Sequence, residues 1–238
     1  MRIDQRTLDQ LRDVTITRNY TRYAEGSVLV EFGHTKVLCT ASIDNSVPRF
    51  LKGKGQGWVT AEYGMLPRAT HERVTREAAK GRQSGRTQEI QRLIGRSLRA
   101  VIDLKNLGER QIKIDCDVIQ ADGGTRTASI SGGFVALYQS VEKLKKNYNI
   151  QSTIIKECVA AVSAGIIKSQ PNLDLDFEED SNAEVDANFV ICESGKIAEI
   201  QVTGEEYFFT DDQFQQIFDL SRNGIAQIIK KQKAILNI

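Results

Sequence analysis

Residues 112–133 constrain the fold more than any other stretch, because the spacing of their apolar residues changes within it. Between residues 112 and 118 apolar residues stand at every second position, as in a strand with one buried face. Gly123 and Gly124 then break the alternation, and glycine permits backbone angles that other residues resist. From Thr127 onward, small and apolar residues recur at helical spacing. The stretch therefore predicts a strand, a glycine turn and a helix in succession.

This arrangement can hold an anion at the start of the helix. Backbone N–H groups there have no partner within the helix, and the helix dipole favours negative charge. Beside Gly124, Thr125 adds a hydroxyl donor and Arg126 adds a guanidinium that matches the geometry of phosphate. An ordinary strand-to-helix turn with a surface arginine has the same spacing, so both interpretations stay open. The Gly-x4-Gly-Lys-Ser/Thr pattern of a P-loop is absent.

Composition is that of an ordinary soluble globular protein with one large domain or two closely joined halves. The chain has 238 residues, of which 40% are apolar and 26% are charged. Its four cysteines are widely spaced in apolar runs, which predicts buried free thiols, and two histidines are too few to favour a histidine-based zinc site or a Ser-His-Asp triad. Neither a signal peptide nor an apolar run near the ~18 residues of a membrane span is present. We expect a cytoplasmic protein that does not enter the membrane.

Two stretches concentrate charge of opposite sign. Residues 66–84 are predicted to form a basic, mobile loop whose Arg68, Arg73 and Arg76 are candidates for contacting a nucleic-acid backbone. A solvated charged loop explains their charge equally well. Residues 172–186 are acidic, and within them Asp180 and Asp186 flank the start of a predicted strand.

Asp180 and Asp186 are the candidate metal ligands. They stand six residues apart at the entrance of the strand predicted over residues 185–192. Mg2+ takes one or two carboxylates in proteins and keeps several waters. An acidic turn that merely interrupts two strands is the alternative.

Periodicity also predicts the other main elements. Hairpins are expected over residues 28–43 and 185–202, and helices over 86–105, 127–146 and after the capping box at 210–213. Residues 153–167 are apolar and small, and their pattern does not decide between helix and strand. The basic residues up to position 20 are interpreted as an arm that leads into the first sheet.

Arg86 interrupts the pattern of the helix predicted over residues 86–105. It precedes Ile90 by four residues and Leu93 by seven, which places it on the apolar stripe of that helix. An arginine that points inward at a helix start is costly unless it meets an anion. Arg86 is therefore a further candidate phosphate ligand.

Four blocks of the chain closely resemble bacterial ribonuclease PH. They read GWVTAEYGMLPRAT at residues 57–70, GRTQEIQRLIGRSLR at 85–99, DCDVIQADGGTRTA at 115–128 and DSNAEVDANFV at 180–190. The resemblance implies an α+β ribonuclease PH fold, a two-layer α/β sandwich of paired βαβα-type halves like domain 2 of ribosomal protein S5. It implies one ribonuclease PH domain over residues 1–238, with an N-terminal half to about 150 and a C-terminal half from about 151.

The resemblance also implies an activity and its residues. Members of this family are phosphorolytic 3′ to 5′ exoribonucleases that trim transfer RNA precursors and other RNA 3′ ends, use inorganic phosphate and release nucleoside diphosphates. They form homohexameric rings, as trimers of dimers. The implied phosphate ligands are Arg86, Gly124, Thr125 and Arg126, and the implied catalytic and Mg2+ residues are Asp180 and Asp186.

The chain departs from the family pattern at three places. Gln5 stands where the family has glycine within Arg-x-Asp-Gly-Arg, and residues 201–205 differ from the usual Gln-Gly-Thr-Ala-Glu. Asn188 replaces the lysine that related polynucleotide phosphorylases have two residues after the second aspartate. A non-catalytic RNA-binding ring subunit and a Mg2+-dependent small-molecule phosphotransferase are the rival hypotheses.

Overall fold

The computed structural model describes residues 2, 4–204 and 208–238. The strands are β1 Val14–Arg18, β2 Gly26–Phe32, β3 Thr35–Asp44, β4 Trp58–Met65, β5 Gln111–Gln120, β6 Val159–Ile167, β7 Gln170–Leu173, β8 Val185–Cys192 and β9 Ile197–Gly204. The α-helices are α1 Glu77–Lys80, α2 Gly85–Ala100, α3 Leu104–Leu107, α4 Thr125–Tyr148, α5 Phe177–Ser181 and α6 Asp211–Leu236.

The described strands form two sheets. The first has the order β1-β2-β3-β5-β4 and is antiparallel except for the parallel pair of β4 and β5. The second has the order β7-β6-β8-β9 and is antiparallel throughout. Both predicted hairpins are confirmed, as β2 with β3 and β8 with β9. The predicted α+β class, with a sheet and helices in each half of the chain, is confirmed.

Helix α4 lies between the two sheets and is the centre of the core. All residues from Thr127 to Leu137 are buried, because the helix packs on β2 and β3 on one side and on β6 on the other. Gly26 of β2 touches the backbone of Ala136 so closely that no side chain would fit there. A helix covered on opposite sides needs small and apolar residues all round, which is the pattern of this stretch.

Residues 153–167, whose periodicity did not decide between helix and strand, contain strand β6. Residues 159–166 are all buried, so the strand shows no alternation of apolar and polar positions. The reason is that α4 and α6 both pack against β6, whose two neighbours in the sheet are β7 and β8. Residues 153–158 precede the strand as loop and turn, apart from an isolated bridge at Ile155.

Two further expectations can be compared with the structure. All four cysteines are buried and free, as predicted. Helix α2 ends at Ala100, earlier than predicted, because the side chain of Asp103 accepts bonds from the backbone of residues 105 and 106 and begins α3. Among the described residues no helix is long and apolar enough to cross a membrane.

Candidate phosphate-binding site

The predicted strand, glycine turn and helix are present at β5, residues 121–124 and α4. Gly123 and Gly124 have φ angles of 72° and 62°, in the left-handed region that glycine adopts without strain. Gly124 is the N-cap of α4 and has no side chain to accept a bond from the first turn. The N–H groups of that turn are therefore available to an anion.

Contacts from other parts of the chain hold the glycine turn in place. The N–H of Ala121 donates to the carbonyl of Ala69 over 2.8 Å. The hydroxyl of Thr35 accepts from the N–H of Asp122 at 2.9 Å and donates to the carbonyl of Gly123 at 2.6 Å. Because Thr35 is fully buried, this pair of bonds is shielded from water.

Thr125 begins α4, and its hydroxyl meets that of Tyr63 at 2.9 Å. Both residues are buried, at 8% and 6% exposure. Burial raises the pKa of the Tyr63 hydroxyl, while the bond to Thr125 and the nearby charges of Arg86 and Arg126 act to lower it. Tyr63 thus lies within the fields of both predicted phosphate ligands. It is a site residue that sequence reasoning missed, although it stands in one of the blocks that carry the resemblance.

The Arg126 side chain is largely covered, with 16% exposure, yet its contacts are long. Its Nη1 lies 3.4 Å from Oε1 of Gln201 and 3.9 Å from Oε1 of Glu89, a side chain that is 51% exposed. These distances are longer than those of strong charge-assisted bonds. The guanidinium is therefore oriented beside the start of α4 and is able to bind an anion.

The prediction that Arg86 points into the core is wrong. Arg86 is exposed, and the next residue, Thr87, continues the buried stripe instead and donates to Glu77 at 2.8 Å. A helix turn of 3.6 residues allows either neighbour to lie on the stripe, and the smaller polar residue is cheaper to bury. Arg86 lines a cavity of about 740 Å³ together with Tyr63. It is thus close to Thr125 but reached from the solvent side.

Asp186 lies on the side of the second sheet that carries the Arg126 contact. It precedes Asn188 by two residues on β8, so both side chains are on the same face. Asn188 stands opposite Ser163 and Gln201 in the neighbouring strands, and Gln201 is the residue that meets Arg126. Ser163, Asn188 and Gln201 therefore form a row across three strands on the sheet face that is turned toward the start of α4. Asp186 lies on the same face.

Asp180 occupies α5 and is exposed. The short helix begins with a capping box between Asp176 and Glu179. Within the described part of the chain, no group of three or more His, Cys, Asp or Glu residues is placed to hold a metal ion. The oxygen donors of Asp180 and Asp186 are the kind that Mg2+ takes in pairs. Their chemistry therefore fits Mg2+.

The predicted RNA-binding arginines are all on the surface. Arg68, Arg73 and Arg76 are exposed, and Arg76 lines the same cavity as Arg86. Their loop is anchored by Ala69, which is 3% exposed and accepts the bond from Ala121 next to the glycine turn. The basic loop thus starts beside the candidate phosphate site.

The arginines of the N-terminal arm have a different role from the one expected. Arg2, Arg6 and Arg12 are buried at 7%, 8% and 6% exposure, and all three contact residues 173–179 of the acidic stretch. The spacing of residues in the sequence did not predict these contacts, because the partners are far apart in the chain. Gln5 has a φ of 65°, the conformation that suits the glycine of the family pattern.

The altered segment at residues 201–205 is described up to Gly204. Gln201 and Thr203 pair with Asn188 and Asp186, so the strand continues through the change. Glu205 lies outside the described residues.

Both parts of the chain match one known family. Residues 10–141 match domain 1 of the 3′ exoribonuclease family, RNase PH, and residues 157–224 match domain 2. The chain is similar in fold to rice (Oryza sativa) Rrp46, with a TM-score of 0.79 and 17% identity over 99% of this chain and 100% of that one.

Two archaeal structures are similar as well. The Archaeoglobus fulgidus exosome with RNA bound to the active site gives a TM-score of 0.81 and 21% identity over 97% of this chain and 92% of that one. An archaeal exosome core gives 0.75 and 20% over 98% and 91%. Since the matches to both family domains together cover most of the chain, it belongs to the 3′ exoribonuclease (RNase PH) family.

Proposed function

We propose that this chain is a phosphorolytic 3′ to 5′ exoribonuclease that trims the 3′ ends of transfer RNA precursors. The observation that carries the proposal is the start of α4, where an uncapped first turn lies beside Thr125 and Arg126. Membership of the family supports the same activity.

The co-substrate in this proposal is inorganic phosphate. The N–H groups next to Gly124 and the hydroxyl of Thr125 donate to its oxygens, and Arg126 balances its charge from the covered side. Arg86 approaches from the solvent side of the cavity, which suits an arginine that engages only when the anion is present. In this proposal the anion is thus shared by backbone N–H groups, one hydroxyl and two guanidinium groups.

The reaction is an in-line displacement at phosphorus. An oxygen of inorganic phosphate attacks the phosphorus of the last phosphodiester, and the bond from that phosphorus to the 3′ oxygen of the preceding nucleotide breaks. The terminal nucleotide leaves as a nucleoside diphosphate, and the shortened RNA keeps the 3′ oxygen, which gains a proton. Positioning and charge stabilisation supply most of the catalysis in such a step.

Asp180 and Asp186 serve the leaving group in this proposal. Asp186 faces the same side as Arg126, and one of the two carboxylates in its protonated form would donate the proton that the 3′ oxygen gains. Asp180 and Asp186 would hold Mg2+, which would supply charge stabilisation for that oxygen.

Arg68, Arg73 and Arg76 hold the body of the RNA in this proposal, because their exposed charges lie along the loop that leads to the site. Replacing all three by Gln should weaken binding of a long structured RNA and leave a short oligomer largely unaffected. The dependence of log K on log salt should fall by about one for each arginine that contacts a phosphate. Filter binding of both RNAs over a salt series measures this.

A matched control removes the same charge elsewhere. Arg22, Arg49 and Arg92 are also exposed, and their replacement by Gln gives the same net charge away from the cavity. Equal losses for both triple variants, or equal losses on long and short RNA, would argue against a specific role of the loop.

Assembly and location belong to the same proposal. A homohexameric ring and a cytoplasmic location follow from the resemblance to ribonuclease PH. Sedimentation of the purified chain tests the ring, with a mass of six chains expected.

The decisive experiment identifies the product released from an RNA labelled at its 3′ end, with and without inorganic phosphate and Mg2+. Nucleoside diphosphate that appears only with phosphate is the expected result, with a further dependence on Mg2+. Nucleoside monophosphate would identify a hydrolase and contradict the mechanism. Retained RNA without any product would identify a non-catalytic binding subunit.

A further inference from the structure

Arg12 connects three parts of the chain at one buried point. Its backbone N–H and Nε donate to Oδ2 of Asp174 at 2.8 and 3.1 Å, and Nη2 donates to Oδ1 at 2.7 Å. Its remaining terminal nitrogen, Nη1, donates to the carbonyl of Asp122 in the glycine turn. Asp174, which follows β7, is fully buried. One side chain thus joins the N-terminal arm, the acidic stretch and the turn before α4.

The glycine turn packs against the same junction from the other side. A Cβ added at Gly123 would lie 2.5 Å from the carbonyl oxygen of Leu175, and one at Gly124 would lie 2.9 Å from Nη2 of Arg12. At Gly123 there is no room for a side chain because the nearby atoms are backbone, and at Gly124 a Cβ would have to displace the Arg12 guanidinium, so the turn is in direct contact with this junction. The absence of side chains at the turn therefore serves packing as well as conformation.

The position of Asp174 is itself determined by its neighbours. Its φ of 53° lies in the left-handed region, which a non-glycine residue keeps only where its surroundings hold it. Its N–H donates to the carbonyl of Ser163 at 2.7 Å, and the next N–H, of Leu175, donates to the Ser163 hydroxyl at 3.1 Å. Ser163 is in β6, opposite Asn188 on the strand that carries Asp186. A series of hydrogen bonds therefore connects Ser163 in the second sheet, through Asp174, to Arg12.

We propose that Arg12 and Asp174 are positioning residues of the phosphate site. Their ion pair holds the backbone of the glycine turn, and with it the first N–H groups of α4, in register with the sheet that carries Asp186. The inference rests on the proposed function for the identity of the anion. In this proposal neither residue contacts phosphate, because the guanidinium of Arg12 donates to Asp174 and to the carbonyl of Asp122, and both carboxylate oxygens of Asp174 accept from Arg12.

The physical reason is the rigidity of this ion pair. A buried ion pair contributes little net stability, because desolvation offsets the attraction, but its two-point geometry is specific. Burial acts to lower the pKa of the Arg12 guanidinium, and the Asp174 carboxylate outweighs it, so the pKa is raised and the charge is permanent. The charge of Arg12 therefore stays next to the turn, which it holds through its bond to the carbonyl of Asp122.

The test compares the affinity for inorganic phosphate among four variants. Arg12→Gln removes the guanidinium and its charge. Arg12→Lys keeps the charge but replaces the guanidinium by one ammonium group, which cannot bond both Asp174 oxygens and the carbonyl of Asp122 in the same geometry. The double variant Arg12→Gln with Asp174→Asn removes both charges, so that no unpaired charge is left buried if the single variant fails to fold. The fourth, Arg2→Gln, is the matched control. Arg2 is 7% exposed and donates to the carbonyls of Leu173 and Asp174 without touching the turn.

Kinetics and direct binding give two readouts. In phosphorolysis, the KM for inorganic phosphate should rise at least about tenfold in Arg12→Gln and in the double variant, as expected for donors displaced by a fraction of an ångström to an ångström. The KM for RNA should stay unchanged, and Arg12→Lys should recover part of the loss. Calorimetric titration with inorganic phosphate should show the same order of dissociation constants. Arg2→Gln should lower thermal stability alone.

The outcomes separate the two proposals. An unchanged phosphate affinity in the folded Arg12 variants, or an equal loss in Arg2→Gln, overturns the positioning role. A wild-type chain that binds phosphate but forms no nucleoside diphosphate overturns the proposed function. The dissociation constants of the Arg12 variants for inorganic phosphate then test the positioning role by themselves. A wild-type chain that binds no phosphate overturns both.

Discussion

Helices α4 and α6 are the two longest helices that the structure describes, and they begin in opposite ways. At α6 the side chain of Thr210 accepts from the N–H of Gln213 at 3.2 Å, and the Gln213 side chain accepts from the N–H of Thr210 at 2.9 Å. Asp211 and Asp212 add negative charge to the first turn, where the helix dipole favours it. Side chains of the first turn and the N-cap thus provide hydrogen-bond acceptors and negative charge at the start of α6.

The start of α4 lacks both devices. Its N-cap is Gly124, its first turn carries no acidic residue, and Arg126 is the charged residue there. Such an end would be unfavourable if it were simply buried, because its N–H groups need partners. We infer from this difference that the start of α4 is left uncapped to bind a ligand, whereas the capped start of α6 contributes stability. Four substitutions test this comparison.

Arg126→Ala should have the largest effect, because it removes the positive charge that is proposed to bind phosphate at the start of α4. We expect phosphorolysis to fall by about 10²–10³-fold in kcat, as for the loss of one preorganised donor to a developing charge. Stability should change little, since the contacts of Arg126 are long. Arg92→Ala, at an exposed arginine of α2, is the control for kinetics and thermal unfolding. Full activity in Arg126→Ala would contradict the proposal that phosphate binds at the start of α4.

Thr125→Val should have the next largest effect. It keeps the shape of the side chain but removes the hydroxyl that meets Tyr63 and is proposed to donate to phosphate. A bond to a charged group contributes about 1.5 kcal/mol, so the KM for phosphate should rise about tenfold. Initial rates over a phosphate series measure it. An unchanged KM would mean that the backbone N–H groups and the arginines act without the hydroxyl.

Thr210→Val is the counterpart at the capped helix. It removes the acceptor of the capping box, and we expect the free energy of unfolding to fall by about 1 kcal/mol. The KM for phosphate should not change, because the capping box joins only residues at the start of α6 itself. Urea denaturation and phosphorolysis of the same preparation give both values. A kinetic effect as large as that of Thr125→Val would break the distinction between the two helix starts.

Gln5→Gly should have the smallest effect. Gly123 and Gly124 adopt left-handed φ angles without strain, whereas Gln5 adopts 65° with a side chain that is exposed. Relief of that strain, offset by the greater freedom of glycine in the unfolded chain, should raise the free energy of unfolding by about 0.5 kcal/mol. Gln10→Gly, at an exposed residue whose φ is not positive, should lower it. Urea denaturation that ranks the two variants in the reverse order would contradict this explanation.

Local patterns predicted the parts of the site that depend on neighbours in the chain. The alternation before residue 120, the two glycines and the helical spacing after Thr127 together indicated the turn at which phosphate is proposed to bind. The capping box at Thr210 was likewise readable, because all its atoms lie within four residues. Arg86 shows the limit of this reasoning. Its neighbour Thr87 fits the helical stripe equally well, and only packing chose between them.

Local periodicity and glycine placement by themselves determined the order of strands, turns and helices around α4, because these are properties of adjacent residues. Only the tertiary structure decided that Arg12 is buried against Asp174, which is 162 residues away, and that β6 is covered on both faces. A charged side chain can be buried only when its partner is brought to it, and no pattern near Arg12 contains that partner. For the same reason, the register between the glycine turn and the strand of Asp186 became visible only in the folded chain.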